Sequence, residues 1–264
     1  MIDLNNTAPQ TQYNVLLIGD SCLDVYKIGL VTKISPEAPV PVMQLLNEYS
    51  LPGMASNVHK NLTNFNIQVD FVTNQESIVK TRFVDSRFGQ QLLRVDTEPQ
   101  LVPWSGKTPF PLSTYDAIVI SDYNKGFLLD YHIKQICVDF TGPIFIDTKK
   151  SNLKMFGFDN VFVKINELEY RQLESIPKNL IVTLGDRGAM LKNNDEEMIY
   201  PTRNFNVVDV CGAGDTFLAA LTMQYLFTKD IEKAIIFANI AAGITVQHRG
   251  NYAPTYDEIR IAGY

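Results

Sequence analysis

Short, unbroken apolar runs recur along the chain, at residues 15–18, 117–120, 143–146, 161–163 and 180–183. A strand without a polar face is buried on both sides, which implies a parallel sheet covered by helices. Between several of these runs lie stretches with helical spacing, as over residues 128–140. The pattern predicts an α/β fold with a mostly parallel central sheet flanked by helices. Ligands of such sheets collect beyond the carboxyl ends of the strands. Asp20, Ser121 with Asp122, Asp147, and Gly185 with Asp186 all fall at those ends.

Two segments depart from this rhythm. Residues 25–49 contain Pro36, Pro39 and Pro41 with alternating Val40, Val42 and Gln44, which predicts edge strands. Over residues 79–96, Thr81, Phe83 and Asp85 alternate with Arg82, Val84 and Ser86, and the chain turns near Arg87-Phe88-Gly89. That reads as a hairpin with a glycine-containing loop. Together they predict a small β-sheet lid, from about residues 22–51 and 79–96, inserted in a single domain spanning 1–264. From Gly214 onward Phe217, Leu221 and Tyr225 repeat every four residues. A second helix follows over residues 230–247, with Ile231, Ala234, Ile235, Ala238 and Ala242 inward.

Composition narrows the function classes. A net charge of -6, with basic residues scattered singly, gives no concentrated patch for nucleic acid. No apolar run approaches the ~18 residues a membrane span needs, and residues 1–12 lack the apolar core of a signal peptide. A cytoplasmic protein is expected. Cys22, Cys137 and Cys211 are too few and too widely spaced for a disulfide framework or zinc site, and read as small apolar residues. His59, His132 and His248 have no metal-ligand spacing and read as surface or helix residues. Trp104, the one tryptophan, stands in a proline-rich connection.

Candidate chemistry concentrates in Cys211-Gly212-Ala213-Gly214-Asp215-Thr216. Two glycines let the backbone turn and aim several N–H groups at an anion from a helix start. A carboxylate there could take a proton from a hydroxyl attacking phosphorus, or Asp215 could merely cap the helix. The hexapeptide alone leaves both readings open. Thr183, Gly185 and Gly188, with Asp186 and Arg187, follow a strand and could form a second phosphate site or an ordinary hairpin turn. Asn166 and Glu169 could order waters around Mg²⁺. Taken alone, a helix cap explains that pair better. No Walker A sequence and no Gly-x-Gly-x-x-Gly is present.

In this order the motifs resemble the ribokinase (PfkB-type) carbohydrate kinase family. The matching segments are Gly19-Asp20-Ser21-Cys22-Leu23-Asp24, Pro52-Gly53-Met54-Ala55-Ser56-Asn57, Gln90 to Asp96, Ser121 to Gly126, and Phe237 to Gly243. The run Ile34-Ser35-Pro36-Glu37-Ala38-Pro39-Val40-Pro41-Val42 resembles the branch that phosphorylates D-glycero-D-manno-heptose 7-phosphate at O1. The resemblance implies a ribokinase-like fold and ATP with Mg²⁺. It implies Asp215 as catalytic base and Gly212, Ala213 and Gly214 as anion hole. Asn166 and Glu169 would lie near Mg²⁺, Glu169 acting through water. Thr183, Gly185, Gly188 and Asn239 would line the nucleotide site, and Asp24, Gly53 and Asn57 would grip sugar hydroxyls. Asp209 matches a residue near a monovalent-cation (K⁺) site, and the lid a homodimer contact.

A sugar phosphate also needs cations. Lys33, Arg82, Arg94 and Lys125 lie in or beside the substrate segments, and two of the four are expected to touch substrate. The alternative is four solvated lid charges. Three departures stand out. Met54 occupies a position where the family has glycine, which predicts a bulky side chain where backbone meets sugar. Residues 66–80 are too short for the helix-and-strand excursion expected between the lid segments. The chain ends soon after the kinase region, without the nucleotidyltransferase domain fused in some relatives. Other sugar or nucleoside acceptors, or a silent sugar- or nucleotide-binding protein, are the competing readings. Keeping Asp215, Gly212, Gly214, Asn166 and Glu169 together argues against the silent one.

Overall fold

The apolar run that opens the sequence forms β1 (Asn14–Gly19) at the heart of a computed structural model that describes residues 12–193 and 196–263. The polar stretch 1–12 lies, except for Gln12, outside those residues. Alternation decides which layer each β1 side chain joins. Val15 and Leu17 pack into one apolar cluster, Leu16 and Ile18 into the other, and all four are fully buried.

After β1 come β2 (Ser21–Ile34), β3 (Pro41–Met54), α1 (Ala55–Asn64), β4 (Gln68–Thr73), β5 (Ile78–Asp85) and β6 (Gln91–Thr97). Then follow β7 (Ala117–Asp122), α2 (Asp130–Asp139), β8 (Ile144–Thr148), β9 (Val161–Asn166), α3 (Glu167–Tyr170) and β10 (Asn179–Thr183). The chain continues through β11 (Ala189–Asn193), β12 (Glu196–Tyr200), α4 (Ala213–Thr228), α5 (Ile231–Thr245) and α6 (Tyr256–Ile261). Among the described residues, eight strands form one sheet in the order β12-β11-β10-β9-β8-β7-β1-β4. The strands from β4 to β10 are parallel, and β11 and β12 return antiparallel. On one face lie α1, α4, α5 and α6, and on the other α2 with Trp104, Leu153 and Phe156. No helix among the described residues is long and apolar enough to cross a membrane.

A second sheet has the order β3-β2-β5-β6, with β2 and β5 parallel. The expectation of edge strands over residues 25–49 holds for β3 and is corrected for β2. β2 is hydrogen-bonded on both sides, and the edges are β3, which carries Pro41 and Pro52, and β6. Residues 66–80 hold β4 and the start of β5 with no helix between them, and β4 closes the end of the main sheet beside β1.

Packing corrects one further expectation, for Met54, and narrows another, since His132 lies on helix α2 as read. Met54 is 3% exposed and belongs to the apolar cluster of Ile18, Cys22 and Ile78, so its side chain turns into the core. Its φ is 58°, where a side chain is strained by about 1–3 kcal/mol. Met54→Ala should therefore lose stability by cavity formation while keeping the strain, whereas Met54→Gly relieves the strain. Glycine is expected to be the milder change in chemical denaturation. His132 is buried rather than exposed: its Nδ1 accepts from the Leu129 N–H (3.2 Å), and its ring meets Trp104 edge-on.

Candidate active site

The α4 helix starts at Gly212, whose φ of 77° places it in the left-handed region. A Cβ there would come within 2.8 Å of Asn57 Nδ2 and 2.9 Å of Asn251 Oδ1, so neither the backbone angle nor the space suits another residue. Asp215, in the first turn, is 5% exposed. Asn57 Nδ2 donates to its Oδ2 at 2.9 Å, and the Tyr123 hydroxyl donates to its Oδ1 at 2.8 Å. Burial, reinforced by the nearby Asp147 charge, pushes the Asp215 carboxyl up to about 6, against the pull of Asn57, Tyr123 and Lys164. A carboxylate has about four lone-pair sites. The two named donors leave room for one more hydrogen on each oxygen.

Beneath this turn lies a cation that sequence reasoning missed. Lys164, 3% exposed on β9, pairs with Asp147 Oδ2 at 2.7 Å. Its Nζ lies 2.9 Å from where a Gly214 Cβ would be. The free N–H groups of α4 and this ammonium thus converge on one place, an arrangement suited to an anion. A cavity of about 470 Å³ opens there, lined by Ala213, Gly214, Thr183, Gly185, Gly188 and Asn239 among others. Asn239 donates from Nδ2 to the Tyr200 carbonyl at 2.9 Å. Thr183 donates to the Ile165 carbonyl at 3.3 Å.

On the other side of the helix start, the lid base meets the main sheet. Asp24, 4% exposed, pairs through Oδ1 with Arg82 and accepts at Oδ2 from Asn251 Nδ2 (3.0 Å). A Cβ at Gly53 would run into Asp24 Oδ2 and lie 2.6 Å from Cys22 Sγ. At Gly53, therefore, only backbone fits against the Asp24 carboxylate. Cys211 is not a plain apolar filler, because its Sγ accepts from Arg82 (3.7 Å) and from the Tyr26 hydroxyl (3.8 Å). Burial raises its thiol above the ordinary range, so it remains protonated.

The structure thus brings together Asp24, Gly53, Asn57, Arg82, Gly212 and Asp215 on one side, and Ala213, Gly214, Thr183, Gly185, Gly188 and Asn239 on the other. Three cations fall elsewhere. Lys33 is exposed near the β2–β3 turn, nine residues and roughly 30 Å of strand beyond Asp24. Arg94 is half exposed and pairs with Asp96, and Lys125 pairs with Glu98. Of the four cations named from the sequence, Arg82 is the one the structure places beside Asp24. Asn166 and Glu169 form a reciprocal cap on α3, and the other Glu169 oxygen pairs with Lys149. Among the described residues no three His, Cys, Asp or Glu side chains cluster as a metal site. This pair fits Mg²⁺ through water, since Mg²⁺ keeps several of its waters and takes only one or two carboxylates. Asp209 accepts from the Cys211 and Gly250 N–H groups, each at 2.9 Å, tying the loop before α4 to the loop after α5.

Tyr123 and Asn251 were not singled out by sequence reasoning. Asp20 was placed only at a strand end. It is fully buried and accepts at Oδ2 from the Tyr123 N–H (2.7 Å), so it fixes the residue that holds Asp215. Burial, with Asp122 close by, raises its carboxyl to about 6.

Comparison with known proteins converges on this fold. The sequence model of the pfkB family carbohydrate kinases matches residues 154–258. A bifunctional protein HldE from Vibrio vulnificus is 31% identical over 89% of this chain, and the alignment covers 60% of that relative. The chain thus spans about three fifths of the length of the curated relative it matches. Ribokinase from Arabidopsis thaliana, solved with ribose and ATP, superposes with a TM-score of 0.70 over 96% of this chain and 100% of that one, at 15% identity. Phosphofructokinase-2 from Escherichia coli, solved with potassium, gives 0.72 over 95% and 97%, also at 15%. The architecture is therefore ribokinase-like.

Proposed function

We propose, from the match of residues 154–258 to the pfkB-family carbohydrate kinase model, that the chain transfers the γ-phosphoryl group of ATP to a hydroxyl of a sugar or sugar phosphate. O1 of D-glycero-D-manno-heptose 7-phosphate is the favoured acceptor. The observation that carries this reading is the placement of Asp215. A buried carboxylate at a helix start stands between an anion-suited cavity and a polar lid base. Asp215 accepts the proton of the attacking hydroxyl, and Asn57 and Tyr123 hold its two oxygens in place. The α4 N–H groups and Lys164 stabilise charge on the migrating phosphoryl group. The cavity volume falls within the range of nucleotide-sized sites. When bound, Mg²⁺ would neutralise phosphate charge, with Glu169 ordering its waters. A monovalent cation such as K⁺ beside Asp209 fits too, since that carboxylate keeps one lone pair free on each oxygen.

The acceptor preference is supported by the run over residues 34–42 and by the similarity to the HldE relative. The reading includes a cytoplasmic location and a homodimer through the lid, whose strands expose Leu45, Leu46, Leu93 and Val95. Incubation with Mg·ATP and a panel of sugars and sugar phosphates, following ADP, tests the proposal. Acceptor-dependent ADP release is expected, greatest with the heptose 7-phosphate. Equal turnover of sugars lacking phosphate would overturn the heptose assignment, and binding without turnover across the panel would overturn the kinase reading.

A further inference from the structure

Asn251 lies in the loop between α5 and α6, outside every motif used so far, yet it is 3% exposed. Its Nδ2 donates to Asp24 Oδ2 at 3.0 Å and to the Pro52 carbonyl at 2.6 Å. Both partners are acceptors only, so the amide orientation is fixed and Oδ1 must face the other way. That oxygen is buried and accepts no hydrogen bond. It points at the α4 start, 2.9 Å from where a Gly212 Cβ would stand, while Asn57 Nδ2 lies 2.8 Å from the same point. Asn57 in turn donates to Asp215. Two chains of hydrogen bonds, Asp24–Asn251 and Asn57–Asp215, thus approach each other at Gly212 without joining. A buried acceptor lacking a donor is destabilising, and the gap lies where the proposed sugar site meets the proposed base.

We infer that Asn251 is an acceptor-binding residue whose Oδ1 takes a hydrogen bond from one hydroxyl of a polyhydroxylated substrate, next to the hydroxyl that is phosphorylated. The inference rests on the kinase reading and deepens it. Arg82 and Asn251 each take one lone pair of the Asp24 oxygens from the protein side, so the Asn251 amide stands between that carboxylate and the α4 start. Asn251 therefore converts the charge of the lid base into a neutral, directional acceptor. It selects for a hydroxyl at one ring position rather than for charge.

The test compares wild type, Asn251→Ala and Asn251→Thr, using the best acceptor from the panel and its monodeoxy analogues. Threonine can still donate a hydroxyl hydrogen toward Asp24 but has no acceptor at the Oδ1 position. In wild type, one deoxy analogue is expected to lose about tenfold or more in kcat/KM. In both variants that discrimination should collapse to within about twofold, with the KM for ATP unchanged. Discrimination that persists in a folded variant would overturn the inference. If neither variant folds, a structure of wild type with acceptor decides. A substrate hydroxyl within hydrogen-bond distance of Oδ1 is expected, and a protein donor or retained water there would overturn it. Failure of wild type to release ADP with any acceptor would instead overturn the kinase reading.

Discussion

Asp215→Asn is expected to lower acceptor-dependent ADP release by about 10²–10⁴-fold while leaving the protein folded and more stable at pH 7. The amide oxygen can still face Asn57, and the amide NH₂ can donate to the Tyr123 oxygen, so the network survives without a base. The stability gain follows from linkage. Burial raises the folded-state carboxyl from 3.8 to about 6, so the folded protein holds this proton more tightly than the unfolded chain does. Stability from this group is therefore greatest below pH 4 and is lost as pH rises through 6. The loss is on the order of 3 kcal/mol at neutral pH. Thermal unfolding should show the advantage of the variant at pH 7 shrinking by pH 5. Wild-type kcat/KM should climb through pH 6 as the base ionises. A variant that retains wild-type turnover would remove Asp215 from the mechanism.

The second large effect concerns the lid base. Arg82→Ala leaves the Asp24 carboxylate 4% exposed, with the Asn251 amide as its remaining side-chain donor. Removing one partner of a buried pair costs about 3–5 kcal/mol, more than the pair itself contributes, because the stranded charge remains desolvated. The urea midpoint should fall by that free energy divided by m, with m unchanged. Combining Asp24→Asn with Arg82→Met removes both charges and keeps much of the volume. It should recover most of the stability and none of the transfer activity. Recovery of both would mean that the pair only supports the fold.

Five strands of the main sheet, β1, β7, β8, β9 and β10, were legible because they are buried on both faces and so appear as unbroken apolar runs, each 3–4 residues long. The lid order was not. Parallel pairing of β2 with β5 joins residues more than 50 positions apart, and nothing in the alternation of either strand names its partner. In the candidate site, Asp215, Gly212 and Asn57 could be read from local motifs. Tyr123 and Asn251 could not, because each reaches the site by its side chain alone, the Tyr123 hydroxyl across 92 residues. Met54 shows the reverse limit. Its size was visible, but the direction of its side chain depends on a positive φ that the sequence does not announce. Asn166 and Glu169 were readable as a cap because both partners lie within one turn.

The seat of β1 between β4 and β7 also bears on how the molecule is born. Its two neighbours are synthesised about 50 and 100 residues after it. At translation rates of about 5–20 residues per second, that leaves the strand unpaired for roughly 3 to 20 s. Throughout this time its apolar residues and open backbone edges are available to other nascent chains. Asp215 emerges later still, after the lid and every strand of the main sheet. A ribosome-bound chain therefore acquires Asp24, Gly53 and Asn57 long before Asp215, and Asn251 last of all. Chaperone demand should fall mainly on the interval before β7 is made.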